Sequence, residues 1–193
     1  MTDHAHAPNW RKWLGHLAGK PNVQGLEIGV FKGESAEWML ENIFTHDTAR
    51  YACVDTWTGG AEHVRDGDDM EAVRLEALAR VGRFYPRSVL FQESSESFLA
   101  RCRFELIDEC GQFDFLYIDG AHDAQNVLRD AVLGWECLKV GGVMIFDDYL
   151  WEDMPDALDR PRRAIDAFWN CYQRQAQMLS VCNEWQVALK KIA

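Results

Sequence analysis

Phe113 to Tyr149 reads FDFLYIDGAHDAQNVLRDAVLGWECLKVGGVMIFDDY, and the alternation of element types within it decides the architecture. A short apolar run, Phe113 to Ile118, stops at Asp119-Gly120, the pattern of a buried strand that delivers a carboxylate to its carboxyl edge. Ala124, Val127, Leu128, Ala131, Val132 and Trp135 then recur at helical spacing. Asp123 is placed to cap that helix and Gly141-Gly142 to stop it. A second apolar run, Val143 to Phe146, ends in Asp147-Asp148. Strand, helix and strand of this length make a right-handed crossover, so both strands are parallel and Asp119 and Asp147-Asp148 share one rim.

Three clustered carboxylates repel one another, and either one of them protonates or a cation lies among them. Hard oxygen donors with incomplete coordination suit Mg2+ best, with Mn2+ or Ca2+ as alternatives. Adjacent strand residues face opposite ways, so Asp147 and Asp148 reach one ion only where the pleat has ended. The alternative is that one of them caps the following turn. His122, three residues beyond Asp119, carries an imidazole that titrates near neutral pH and suits a proton acceptor, with capping or simple exposure as the competing reading.

Upstream, Val23 to Ile28 reads as the first strand. The turn Glu27-Ile28-Gly29-Val30-Phe31-Lys32-Gly33-Glu34-Ser35 leads into a helix whose apolar face is Ala36, Met39, Leu40, Ile43 and Phe44. Glycines here let backbone approach a ligand, but E-x-G-x-x-x-G is not the dinucleotide fingerprint, which disfavours a nicotinamide oxidoreductase. Glu27 suits an ammonium group better than a pyrophosphate. Tyr51 to Val54 is the second strand and ends in Asp55-Thr56-Trp57. An acid there, roughly twenty positions after the glycine turn, is placed to accept from both hydroxyls of a ribose. Thr58 to Asp69, TGGAEHVRDGDD, reads as a loop, a solvated linker by default and a lid as the alternative.

Met70, Val73, Ala77, Leu78 and Val81 make a further helix, and Val89 to Phe91 a third strand. That strand leads to Glu93 and Ser94, where an adenine ring could be read, and to a helix that Ser94 or Ser95 could cap. Trp151 to Arg160 is an acidic loop, Arg162 to Tyr172 a helix, and Gln177 to Cys182 with Trp185 to Ile192 a hairpin turning at Asn183-Glu184. Residues 1–20 form an amino-terminal extension with a short helix over Trp10 to Ala18, packed on the sheet edge or covering the site. These elements give a single α/β domain over 1–193, a doubly wound sheet of seven strands, mostly parallel, closed by a carboxy-terminal antiparallel hairpin. Every acid singled out, Glu27, Asp55, Glu93, Asp119, Asp147 and Asp148, ends a parallel strand, where open α/β sheets bind ligands.

Composition narrows the partners. A net charge of −11 over 193 residues argues against nucleic acid and anionic membrane and favours small-molecule chemistry, and 48% hydrophobic residues suffice for a core. No leader peptide and no membrane span is expected. The six cysteines form no C-x-x-C pair and read as reduced thiols of a cytoplasmic protein.

The words LEIGVFKGES, VDTWTG, YIDGAH and GGVMIFDDY resemble the class I S-adenosylmethionine-dependent methyltransferases, and within them the macrocin-type sugar O-methyltransferases. The resemblance runs from Val23 onward and implies a Rossmann-like fold. It implies that Glu27, Gly29, Val30, Gly33 and Ser35 cradle the methionine end of S-adenosylmethionine, that Asp55, Thr56 and Trp57 serve the ribose, and Glu93 and Ser94 the adenine. Asp119 would border the cofactor and, with Asp147 and Asp148, hold the metal; His122 and Asp119 would be catalytic, His122 as general base. Gln92 and Glu93 stand where a Gly-Asp pair is common in such proteins. The implied activity is O-methylation of a small molecule, a sugar or glycosylated metabolite first and a catechol-type diol second. A non-catalytic cofactor-binding regulator is the competing class. Substrate identity and a homo-oligomeric state are not carried over, because the macrolide sugar enzymes have a longer amino-terminal domain.

Overall fold

A computed structural model describes residues 4–104, 113–181 and 185–193. Among them lie seven strands in one sheet, in the order β3-β2-β1-β4-β5-β7-β6, and the chain divides into two compact units, Met1–Ser94 and Ser95–Ala193.

The first unit contains α1 (Ala7–Leu14), β1 (Gln24–Ile28), α2 (Glu34–Asn42), β2 (Arg50–Asp55), α3 (Ala61–Asp66), α4 (Met70–Gly82) and β3 (Ser88–Gln92). β1 pairs parallel with β2, and β2 with β3. α1 starts and ends earlier than the apolar spacing predicts, because Pro8 sits in its first turn, where its fixed φ suits a helix start. The helix packs on α2 through the Trp10 and Trp38 rings, 5.1 Å apart. The segment read as a loop over Thr58 to Asp69 holds the six-residue α3, bracketed by Gly59 (φ 78°) and Gly67 (φ 74°). Asp69 caps α4 by accepting from the amides of Glu71 and Ala72.

The second unit contains α5 (Ser95–Phe104), β4 (Phe113–Ile118), α6 (Ala124–Cys137), β5 (Leu138–Phe146), a 3-10 turn (Ala157–Asp159), α7 (Pro161–Tyr172), β6 (Ala176–Val181) and β7 (Val187–Lys191). β4 and β5 are parallel; β5 pairs with β7, and β7 with β6, antiparallel. Asp123 caps α6 as the sequence predicts, accepting from the Asn126 amide. The stop does not: α6 ends at Cys137, and Gly141-Gly142 lie inside β5. Phe113 pairs with Leu138 and Phe115 with Val143, so the glycines take up extra residues in a bulge, where Gly141 has φ 91°. The hairpin turn expected at Asn183-Glu184 lies outside the described residues. Trp135, Phe168 and Phe146 fill the core between α6, α7 and β5. Among the described residues no helix is long and apolar enough to cross a membrane.

Candidate active site

In the first unit the acids at the strand ends are engaged by the protein itself. Glu27, on β1, is completely buried; it accepts from the Ser35 hydroxyl at 2.5 Å and the Tyr51 hydroxyl at 2.7 Å. Both donors are neutral, and among the described residues no lysine or arginine pairs with it. Burial therefore pushes its pKa from 4.5 up to about 7; the two hydroxyls moderate the rise and the nearby Asp55 carboxylate adds to it.

Asp55 binds the glycine turn. Its Oδ2 accepts from the amides of Val30 at 2.8 Å and Phe31 at 2.9 Å, and its Oδ1 from the Trp57 amide at 2.7 Å. Trp57 completes the stitch by donating its indole N–H to the Phe31 carbonyl at 3.0 Å. Phe31 (φ 48°) and Trp57 (φ 47°) both sit in the left-handed region, a cost that local hydrogen bonding sustains. Gly33 (φ 78°) is required for packing as well, since a Cβ there would lie 2.7 Å from Val81 Cγ2 of α4. Thr56 is exposed and its hydroxyl lies 2.9 Å from that of Thr58; Glu93 is half-buried and Ser94 exposed.

The second unit gathers a different set. One donor atom each from Asp119, His122 and Asp148 lies within 4.8 Å of the others, all three residues half-buried. His122 Nε2 stands 2.9 Å from Asp148 Oδ2, and its ring stacks on Trp151 with centroids 4.4 Å apart. The chain leaves its pleat at Asp148, whose φ is 59°, so the two consecutive aspartates diverge. Asp148 turns to His122, whereas Asp147 turns to Tyr117 and Gln186. Asp147 Oδ2 accepts from the Tyr117 hydroxyl and from Gln186 Nε2 at 3.1 Å, and its Oδ1 accepts from the Asp148 amide at 2.9 Å.

A family model described as a methyltransferase domain matches residues 26–149, most of the chain and every strand end just described. The chain belongs to this methyltransferase family. Its fold is the class I, Rossmann-like one. An O-methyltransferase from Bacillus cereus solved with SAH superposes with a TM-score of 0.63 at 19% identity, covering 97% of this chain and 84% of that one. The O-methyltransferase TomG from Streptomyces achromogenes, involved in tomaymycin synthesis and solved with SAM, gives 0.66 at 15% identity, with 98% and 82% covered. MycE from the mycinamycin biosynthetic pathway, solved with Mg and SAH, gives 0.65 at 16% identity; this chain is covered to 98% but spans only 50% of MycE. No curated protein sequence matches the chain.

In this methyltransferase, Asp119 and Asp148 converge as the crossover geometry requires, and His122 joins them. Asp147 is held away from the three by two side chains. Sequence reasoning missed Tyr51, Tyr117 and Gln186, each a hydrogen-bond partner of a strand-end acid. The available signal for Gln186 was a polar side chain in a predicted strand, and in the structure it is wholly buried. Trp151, read only as loop, is the ring on which His122 rests.

Proposed function

We propose that this methyltransferase transfers the methyl group of S-adenosylmethionine to a hydroxyl of a small molecule, with a divalent cation, Mg2+ or alternatively Mn2+ or Ca2+, in the second unit. The acceptor we favour is a sugar or glycosylated metabolite with neighbouring hydroxyls. The observation that carries this reading is the convergence of Asp119, His122 and Asp148, two carboxylates and an imidazole within one coordination sphere's width. Such a donor set fits a hard divalent ion that keeps open positions for water or substrate oxygens.

The cofactor residues fit as well. Glu27 is an interior carboxylate without a cation, and the ammonium of a methionine moiety would supply one. Asp55 spends three hydrogen bonds on the turn, which leaves a carboxylate with about four acceptor sites capacity for one ribose hydroxyl rather than two. Gly29, Val30, Gly33 and Ser35 would frame the methionine end, Thr56 and Trp57 the ribose, and Glu93 and Ser94 the adenine. Residues 58–69 would act as a lid, since His63 of α3 stacks on Phe31 at 4.8 Å.

When bound, S-adenosylmethionine supplies a sulfonium methyl group, and a divalent cation lowers the pKa of a coordinated hydroxyl. Asp119 and Asp148 would hold that cation, with Asp147 as the adjoining carboxylate kept in reserve by Tyr117 and Gln186. His122 Nε2 would take the proton that the acceptor hydroxyl gives up, and Asp148 would stabilise the imidazolium so formed. Trp151 fixes the plane of the ring during that transfer. The chain would act as one catalytic domain in a reducing, cytoplasmic setting, consistent with the free thiols of Cys53 and Cys171.

Calorimetry with S-adenosylmethionine, with and without Mg2+, followed by product analysis on a panel of sugar and catechol diols tests the proposal. Cofactor binding with cation-stimulated O-methylation of a diol is expected. Binding without transfer to any diol would make the protein a cofactor-responsive regulator, and no binding at all would remove the reading.

A further inference from the structure

Beside the His122 cluster, and wholly within the second unit, lies a cleft of about 540 Å³ between the segment after β5 and the start of α7. That volume suits a metabolite-sized ligand. Trp151 belongs to both places: one ring stacks on His122 and also lines the cleft. Tyr149, Leu150 and Leu158 make the rest of its floor apolar, and Arg160, Arg162 and Arg163 stand around it.

The charge balance of these arginines is uneven. Arg160 Nη1 donates to Glu152 at 3.2 Å and its Nε to the Met154 carbonyl at 3.2 Å. Arg162 lies 3.7 Å from Asp166 and 5.2 Å from the centre of the Tyr149 ring, while Tyr149 itself donates to Asp166 at 3.0 Å. Glu152 and Asp166 are the acids of the cleft, and each is already matched. Among the described residues no carboxylate pairs with Arg163. In a chain of net charge −11, an unmatched guanidinium lining a cleft is the exception. Helix stability does not account for it, because a cation in the first turn of α7 opposes the helix macrodipole.

We propose that this cleft is the acceptor site and that Arg163 selects acceptors carrying one acidic group, a carboxylate or phosphate, on a planar or apolar body laid against Trp151 and Tyr149. The proposal rests on the O-methyltransferase reading and narrows its substrate class from any diol to an acidic one. Guanidinium matches a carboxylate or phosphate with paired hydrogen bonds, and a neutral hydroxyl cannot use that geometry. Arg163 is then a specificity residue that touches the acceptor away from the reacting oxygen.

Matched acceptor pairs test this: protocatechuate against catechol, and methyl glucuronide against methyl glucoside. In at least one pair the acidic member is expected to have a kcat/KM about 10-fold higher than the neutral one, with the difference in KM. Arg163→Gln should bring that ratio to about 1, Arg163→Lys should retain part of it, and Arg174→Gln, which removes the same charge outside the cleft, should leave it intact. Calorimetric titration of protocatechuate and methyl glucuronide in the absence of cofactor should show the same dependence on Arg163. Equal use of both members of each pair, or loss of the preference in Arg174→Gln, would overturn the assignment. Transfer without preference sinks this inference alone, whereas binding of acidic ligands with no transfer to any diol sinks the O-methyltransferase reading and spares the cleft.

Discussion

The two units treat strand-end acids in opposite ways. Glu27 and Asp55 of the first unit are engaged by donors of their own chain, hydroxyls for one and backbone amides for the other. Asp119 and Asp148 of the second unit converge on each other and on His122. Satisfied acids build a binding surface whose shape is fixed before a ligand arrives. Convergent acids raise the local negative potential and create a demand for a cation or a proton. Position at the carboxyl end of a strand is common to all of them, so the partner each finds, and not its place in the fold, separates architecture from chemistry.

The largest effect should come from the convergent set. Asp119→Asn and Asp148→Asn are each expected to lower methyl transfer by more than ~100-fold, and His122→Ala by on the order of 10²-fold. Calorimetric affinity for S-adenosylmethionine should change by only about two-fold in the Asp148 and His122 variants. Parallel losses of affinity and turnover would erase the distinction between the units.

Glu27 sharpens the comparison through pH. Its folded pKa of about 7 lies above the ordinary 4.5, so the folded state binds more protons than the unfolded one between those values, and stability falls as pH rises through that window. The contribution lost is about 3 kcal/mol. Glu27→Gln cannot ionise and should lack this part of the slope when denaturant unfolding is compared at pH 5 and pH 8. Asp130, raised to about 6 by burial beneath Ser95, slopes the same way and remains in both proteins, so the difference isolates Glu27. Identical slopes in the two proteins would show that Glu27 is not an interior carboxylate. In the wild type, S-adenosylmethionine should bind more tightly above pH 7 than at pH 6, because the ionised carboxylate is the form that attracts an ammonium.

Asp55→Ala should destabilise by about 2 kcal/mol, since three amides lose their acceptor at a half-buried site. Its thermal midpoint should fall even without cofactor, as a purely ligand-binding acid would not require. Gly33→Ala is expected to cost about 2 kcal/mol from its positive φ and its contact with Val81, and Val81→Ala in the same chain should recover the packing share while the backbone share persists.

Much of this was legible in the sequence because it depends on local periodicity. The crossover from Phe113 to Phe146, and the rim it creates at Asp119 and Asp148, follow from apolar runs and the handedness of parallel connections. What escaped depends on contacts distant in sequence. The divergence of Asp147 from Asp148 is set by Tyr117, on β4, and by Gln186, just before β7. Asp55 closes on amides twenty-four and twenty-five residues earlier, which no turn pattern at Asp55 announces. Gly141-Gly142 were misread for the converse reason. Two glycines carry a strong local stop signal, yet pairing of Leu138 with Phe113 has already begun the strand, and the glycines absorb a bulge.

Mn2+ binding followed by electron paramagnetic resonance tests the cation site most directly. One Mn2+ per chain in the wild type, lost in Asp119→Asn and in Asp148→Asn, is the predicted result, with methyl transfer abolished by excess chelator and restored by the metal. Unchanged Mn2+ binding in both variants, or full transfer in excess chelator, would contradict it.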